Sequence, residues 1–443
     1  MSQTVVILDI DDVYAGRWFK VFWATEVRAR QRGIITVDAK VGSTVATVAG
    51  ESWWMPAARQ QSSVLVVTGG GDVWVEVVPV HDLDRYLDEW EELASNSLEP
   101  NPFFEAWQLR PALEAYGGGG GILLSLVKHR CADGTAEVIA FVPWQRKRSF
   151  RGWPVSILRA WTHPMALLST PLLRRGMAVK AWTALFEWAR DKDAGASLLE
   201  LPLVYSEGPV HQALVDVMFD MDLLKYEAET FTRAMMQVSD GTGQAYYERA
   251  TTTHTRRNHR NDRRRLEKLG RVEFAVLGLG SDLDHWIEQF LELEASGWKG
   301  AAGTAMLANS RDAVYFRNIC RAGFARGSLD MIALLLDGRP IAMMCSHIAG
   351  RVLFSFKIAY DEKYRKYGPG VLLEIENIFD NHSRRHIDWE DSCAASTQKK
   401  YKSLWSERRV LSHLLIAPGP AYGRLLTGAF PLIRSIKRLL KRA

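Results

Sequence analysis

Hydrophobic and polar positions fall into legible blocks only from residue 72 onward. "DVWVEVVPV" (72–80) alternates with the period of two expected of a half-buried strand. "LDRYLDEWEELASNS" (83–97) repeats its apolar residues at helical spacing, and "NPFFEAWQLRPALEAY" (101–116) reads as a second helix after a proline stop. Gly117 to Gly121 then lead into the strand-like "ILLSLVKH" (122–129). No helix follows these glycines, so they read as a connector and not as a phosphate cradle. Further on, "LDMIALLLDGRPIAMMCSHIAGRVLFSFKIAYD" (329–361) holds three apolar runs parted by "DGRP" and "AG", the punctuation of an antiparallel meander. Residues 1–71 carry Val-rich runs, "TVVILDI" and "SVLVVTGG", without clear periodicity and are set apart as an N-terminal extension.

The same order of elements occurs twice. "RRGMAVKAWTALFEWARDKDAGASLLELPLVY" (174–205) runs basic turn, glycine, amphipathic helix, strand, and so does "YRKYGPGVLLEIENIFDNHSRRHIDWEDSC" (364–393). Gly176 and Gly368 correspond, which predicts a duplicated domain. The expected boundaries are 72–244 for the first copy, 272–415 for the second, a basic linker helix over 245–271 closed by Gly270, and a basic amphipathic tail over 416–443. The fold class that follows is α+β (mixed α/β), each copy a mixed central sheet flanked by helices.

Composition changes this picture little: 443 residues, 47% hydrophobic and 24% charged, suit two globular cores. Charge changes it more. The net +5 is concentrated in two places. His254 to Arg271 has eight Lys or Arg against Asp262 and Glu267, and 420–443 has six and no acid, so the rest of the chain is acidic. The four cysteines are scattered and show neither metal-ligand nor redox spacing, which fits reduced packing residues in a cytoplasmic protein. No secretory signal and no run of eighteen apolar residues stands out.

The chemistry concentrates in Arg365-x-x-Gly368-x-Gly370, placed after a strand and before a helix. Two glycines let backbone N–H groups turn inward, the helix start adds the positive end of its dipole, Pro369 stiffens the turn, and Arg365 supplies a fixed charge. Spacing alone leaves two readings open, an anion cradle and a plain structural turn.

Context adds to it. "NPFFEAWQL", "RRNHRNDRRRLEKLG", "FLELEASGWKGAAGTA", "FKIAYDEKYRKYGPGVLLE" and "IDWEDSCAASTQKKYKSLW", in this order, resemble the tandem-GNAT acetyltransferase family associated with cellulose and exopolysaccharide biosynthesis, whose architecture is similar to the Fem-type peptidyltransferases. The resemblance covers about 72–415. It implies two tandem GNAT-like domains and acetyl-CoA as acyl donor with no metal. Arg365, Lys366, Tyr367, Gly368 and Gly370 would hold the coenzyme in the second copy. The first copy has Leu173 where the second has Arg365 and would shape the acceptor side. The family's glycine after the acidic strand end is missing from "IDWEDSCAAS".

Acyl transfer needs a deprotonated acceptor, a stabilised oxyanion and a protonated leaving thiolate. Asp388, expected near the mouth where parallel strands part, is a general-base candidate, against a salt bridge with Arg384 or Arg385. Glu294 is a second base candidate. Tyr401 is a candidate proton donor to the thiolate, against a half-buried aromatic beside Trp405. Strand alternation places Val352, Phe354, Phe356, Ile358 and Tyr360 on one face of "RVLFSFKIAYD" and Leu353, Ser355, Lys357, Ala359 and Asp361 on the other. Lys357 there reads as a contact to acceptor or coenzyme, or as a partly solvated lysine. Trp298 and Lys299, in a glycine-flanked loop, are candidates for binding a sugar or carboxylate acceptor.

The expected acceptor is an amino sugar or polysaccharide precursor. The alternatives are an aminoacyl-tRNA-dependent peptidyltransferase and a non-catalytic assembly factor of a polysaccharide synthase. Nucleic acid is not the expected partner of 254–271, because no aromatic residues are interleaved with the arginines. The tail suits an anionic lipid surface at the inner face of the membrane, or docking on the protein itself.

Overall fold

The computed structural model describes residues 65–67, 71–150, 154–191, 194–238, 241–384, 386–394, 404–419, 423–425 and 427–429. The runs expected within 1–64, Tyr401 and the tail beyond 429 lie outside the described residues.

The first copy runs through β1 (Leu65–Val67), β2 (Val73–Val78), α1 (Leu87–Ser95), α2 (Ala106–Tyr116), β3 (Ile122–Arg130), β4 (Ala136–Lys147), β5 (Ile157–Ala160) and β6 (Leu172–Leu173). It continues with α3 (Ala178–Arg190), β7 (Leu198–Tyr205), α4 (Pro209–Asp220) and β8 (Leu224–Gln237). Two helices follow, α5 (Gly243–Ala250) and α6 (Thr253–Glu267). The second copy repeats the pattern as β9 (Val272–Val276), α7 (Leu283–Ser296), α8 (Trp298–Ala301), α9 (Ser310–Ala325), β10 (Leu329–Leu336), β11 (Arg339–Ala349), β12 (Val352–Tyr360), α10 (Pro369–Ser383), β13 (Trp389–Asp391) and β14 (Glu407–Ala417).

The meander read from the sequence is β10-β11-β12, antiparallel throughout. The single linker helix is instead two. The Thr252 side chain accepts from the Thr255 N–H at 3.1 Å and starts a new helix, and both flanking residues, Thr251 and Thr252, are extended. This second helix belongs to the second copy: Arg263 pairs with Glu376 of α10, and the Arg265 guanidinium lies 5.2 Å from the centre of the Tyr367 ring.

All named strands join one sheet in the order β1-β2-β3-β4-β5-β7-β14-β8-β13-β12-β11-β10-β9, with β6 paired to β4. The duplication is visible in its two parallel pairs, β5 with β7 and β12 with β13, each reached through a helix that follows a glycine at positive φ, Gly176 (75°) and Gly368 (60°). Between the halves the C-terminal strands are exchanged. β14 of the second copy enters between β7 and β8 of the first, and β8 pairs with β13 of the second.

Helices cover both faces. α3 and α4 pack on one face of the first half, and α10 with Tyr246, Tyr247 and Leu266 on one face of the second. A third core is shared: α1 and α2 of the first copy meet α7, α9, β11 and β12 of the second around Trp107, Leu109, Phe290, Tyr315, Phe316 and Phe356. This seam is a consequence of sequence pattern, because α7 buries Ile287, Phe290, Leu291 and Glu294, spaced i, i+3, i+4 and i+7.

Candidate active site

β12 and β13 pair over three positions only, Val352 with Trp389, Leu353 with Glu390 and Phe354 with Asp391. Beyond Phe354, β12 runs on to Tyr360 with no strand beside it on that edge among the described residues. Its register also slips there. Cys345 of β11 faces Lys357 and His347 faces Phe354, so Ser346 stands opposite both Ser355 and Phe356 in a β-bulge.

The bulge overturns the simple alternation expected for this strand. Phe354, Phe356 and Ala359 enter the seam core, while Ile358 and Tyr360 pack with α10 on the opposite face. Lys357, paired with Cys345, goes to the seam with the phenylalanines, and its ammonium lies 5.2 Å from the Phe356 ring centre. A strand edge left unpaired at a bulge presents backbone N–H groups, the donors that an acyl-transfer oxyanion requires.

The Gly368 turn lies past the end of this open strand. A 3-10 turn over Glu362–Tyr367 closes with the Gly368 N–H donating to Arg365 O at 3.0 Å, and Gly368 itself is left-handed (φ 60°, ψ 46°). Val371 and Leu372 N–H both donate to Gly368 O, and Pro369 has no N–H. Among the described residues the Gly370 amide therefore remains the uncommitted donor of the turn, fewer than the glycine spacing suggested, at the head of the fifteen-residue α10. A Cβ at Gly368 would meet only Val371 Cβ at 3.8 Å, so the concavity in front of it is open. Lys363, Arg365 and Lys366 stand exposed around it. Arg365 has Glu362 at 3.9 Å as its ion-pair partner. The Tyr367 ring is buried in the α10 core, so it anchors the turn and does not face a ligand.

The equivalent turn of the first copy is open at its glycine, where a Cβ at Gly176 would meet nothing within 4 Å, but the residues before it are tied to the chain at 96–98. Arg174 bonds Glu92 and Val138 O, Arg175 N–H donates to Asn96 O, and Leu98 N–H donates to Leu173 O at 2.6 Å. The chain at 96–98 thus runs antiparallel beside 173–175 and leaves Gly176 exposed.

The other candidates separate sharply. Asp388 precedes β13 at the end of the sheet away from the opening, since the parallel strands part beyond Asp391. It is half exposed and held by the Arg351 guanidinium at 2.7–2.9 Å, and that bond lowers its carboxyl below the usual range. The general base expected at the mouth is therefore not there, and the salt-bridge partner is Arg351 in place of Arg384 or Arg385. Glu294 is buried but committed, with Lys299 Nζ at 2.5 Å and the Met306 N–H at 2.9 Å. Lys299 is consequently a structural clasp, and Trp298 stands mostly exposed on the one-turn helix α8 where a loop was expected.

Lys357 is the candidate the fold favours. It keeps a little surface, has no hydrogen-bond or ion-pair partner among the described residues, and is pushed down to about 8, first by desolvation and then by Lys299.

Sequence reading missed the buried polar groups behind the opening. Glu390 accepts from Ser355, from Asn377 at 2.9 Å and from Asn381 at 2.7 Å. Burial, then the neighbouring Glu374, pushes its carboxyl well up. Asp391 binds Arg409 at 2.7 Å and Arg233 at 3.4 Å, with the Arg409 guanidinium between Tyr205 and Trp389. Glu374, Asn377 and Asn381 share one face of α10 at i, i+3 and i+7, a signal that was readable. His129, Cys131 and Glu137 gather ligand-type atoms within 4.8 Å on the β3–β4 hairpin, but Lys180 and Arg174 reach the same groups.

Residues 253–398 match the acetyltransferase (GNAT) domain family. The match spans α6 through β13 and includes the open turn. No curated protein sequence matches the chain. Solved structures with similar folds include FemX (12% identity, 74% of this chain and 95% of that one, TM-score 0.48). A tandem GNAT protein from the clavulanic acid biosynthesis pathway (12%, 78% and 99%, 0.39) and L-PGS from Bacillus licheniformis (12%, 68% and 88%, 0.38) are also similar. Among the described residues no helix is long and apolar enough to cross a membrane.

Proposed function

We propose that the GNAT domain transfers an acyl group, acetyl by preference, from coenzyme A to an amine or hydroxyl of an amino sugar or polysaccharide precursor. One observation carries this reading: an open left-handed glycine turn heads a long helix, is ringed by Lys363, Arg365 and Lys366, and adjoins a strand whose edge, among the described residues, is free from Ser355 to Tyr360. A diphosphate at the turn and a thioester arm along the free edge would bring the carbonyl to the bulge, where strand N–H groups stabilise the developing oxyanion. The acceptor's nitrogen or oxygen attacks that carbonyl and gives up its proton to water, and the C–S bond then breaks, the thiolate leaving and taking a proton from water.

Calorimetric titration with acetyl-CoA tests it. Saturable binding is expected in the native chain, weakened at least about tenfold by Gly368→Val, which puts a branched side chain into the open concavity on a left-handed backbone. A native chain that shows no binding overturns the reading.

A second reading, an aminoacyl-tRNA donor as in Fem-type transfer, is favoured by α6. Arg257, Arg260, Arg264 and Lys268 form an exposed stripe without ion-pair partners among the described residues, on a helix seated against the turn. Titration with charged tRNA in place of acetyl-CoA decides between them. The basic tail would bring either enzyme to an anionic membrane surface beside a polysaccharide synthase, which vesicle co-sedimentation with and without residues 420–443 tests.

A further inference from the structure

The first copy carries a side-chain cluster that acyl transfer does not use. His129, Cys131 and Glu137 each place one ligand-type atom within 4.8 Å of the other two. Strand pairing gathers them: His129 faces Glu137 across the β3–β4 hairpin, and Cys131, two residues past His129, lies on the same side by strand alternation. The hairpin tip is firmly bonded. Cys131 N–H donates to Thr135 O at 2.8 Å, Gly134 N–H to Cys131 O at 3.0 Å, and Thr135 N–H to the Asp133 carboxylate at 2.9 Å. Cysteine spacing along the chain misses such a set, because Cys131 is joined by a histidine and a carboxylate instead of a second cysteine.

All three groups are open to solvent. The His129 and Glu137 side chains keep 14% and 29% of their surface, and Cys131 is half-buried. His129 Nδ1 stands 3.3 Å from Glu137 Oε1, longer than an ordinary N–H···O bond of about 2.9–3.0 Å. That is the separation of two ligands on a tetrahedral ion, where bonds of about 2.0–2.1 Å set the edge at roughly 3.3–3.4 Å. A thiolate on the same ion would stand roughly 3.6 Å from each, within a side-chain rotation of where Cys131 lies.

Two cations hold the outer atoms of this cluster. Arg174 Nε lies 3.3 Å from Glu137 Oε2, and Lys180 Nζ lies 3.3 Å from His129 Nε2. Nδ1 and Oε1 are thereby left facing one another. Arg174 is fixed by Glu92 and Val138 O, and its charge is balanced by Glu92, so it orients Glu137 as an outer partner orients a metal ligand. Lys180 is exposed on α3 and can swing into solvent. An ammonium beside Nε2 makes that nitrogen the acceptor and puts the ring proton on Nδ1. An ion at Nδ1 would move the proton to Nε2, and Lys180 would give way.

We propose that His129, Cys131 and Glu137 form a binding site for a zinc-type divalent cation, with Lys180 as the stand-in charge that the ion displaces. One thiolate, one imidazole and one carboxylate suit zinc above magnesium or calcium, and three protein ligands leave a fourth position to water. Thiolate and carboxylate together balance the charge of the ion. The Cys131 thiol gives its proton to buffer as the metal–sulfur bond forms. The site does not depend on the acyl-transfer reading.

The test is titration of the full-length chain, free of any affinity tag, with Co(II) as a spectroscopic substitute for zinc. Saturation at a single equivalent is expected, with a near-ultraviolet thiolate-to-cobalt band that added zinc abolishes. Cys131→Ser should remove the band, and Glu137→Gln should weaken binding at least about tenfold, with circular dichroism verifying the fold of each. Lys180→Gln, which offers a side-chain oxygen to the Nε2–H, should bind about tenfold more tightly than the native chain. Zinc should also slow alkylation of Cys131 in the native chain, mapped by mass spectrometry, a readout that needs no variant. The absence of a thiolate band, a band that survives Cys131→Ser, Lys180→Gln binding no tighter than native, or an alkylation rate that zinc leaves unchanged overturns the proposal.

Discussion

Glu105 shows how one buried carboxyl couples this fold to pH. It sits in the seam, accepts from Trp107 Nε1 at 2.9 Å, and has Arg326 at 3.9 Å; desolvation dominates and raises it from 4.5 to about 7. A carboxyl raised in the folded state binds its proton more tightly there than in the unfolded chain, so the stability tied to it is complete below pH 4.5 and is lost as pH rises through about 7. Glu105→Gln keeps the acceptor for Trp107 and removes the titration. Its stability relative to the native chain should therefore grow from pH 5 to pH 8, reaching about 3 kcal/mol at most, as read by urea unfolding at both pH values. Lys357 runs the other way. Its proton is held less tightly in the fold than in the unfolded chain, so the cost of the buried ammonium is complete below pH 8. That cost is relieved as pH rises from about 8 toward 10.5, a slope that Lys357→Met should remove in urea unfolding. The histidines, down near 3, contribute nothing to that slope.

At the scale of elements, α10 decides how far β12 and β13 stay apart, and a buried carboxyl fixes its position. Glu390 receives two amide donors on one oxygen and the Ser355 hydroxyl on the other. Glu390→Gln can reproduce this arrangement: its oxygen accepts from both asparagines, and the Ser355 hydroxyl rotates to accept from its amide. Its stability should stay within about 1 kcal/mol of native, whereas Glu390→Leu strands Ser355 and weakens both asparagines at a cost of about 2–4 kcal/mol, measured by chemical unfolding. The legibility of these elements divides along the same line. The meander, the glycine turn and the helix after it could be read in the sequence because turn residues and apolar period are local properties. The bulge could not, because the register of β12 is set by its neighbour β11, and one extra residue moves Lys357 to the other face. Asp388 was misplaced for a related reason. The sequence shows that it adjoins a strand, but only the parallel pairing shows which end of that strand opens.

At the scale of the whole molecule, duplication predicted two domains, and the protein has two copies in one sheet. β14 supplies eleven residues that pair with β7 on one edge and β8 on the other. Cutting the chain before it would expose two long antiparallel edges of the first copy, and removing the first copy would leave β13 and β14 without β8. Neither half completes its sheet alone, and the shared core around Phe290, Phe316, Leu109 and Trp107 would also be split. The buried Asp391–Arg409–Arg233 cluster crosses the same junction, and separating it would leave charges unpaired in an apolar setting. The chain from 64 to 443 should consequently unfold in one transition, with tryptophan fluorescence and far-ultraviolet circular dichroism coincident. Fragments 64–241 and 242–443 should each be unstable alone and recover native fluorescence when mixed. Two separated transitions, or a first fragment with a stable cooperative fold of its own, would show that the exchanged strand is an ornament on two autonomous domains and that the seam is free to open.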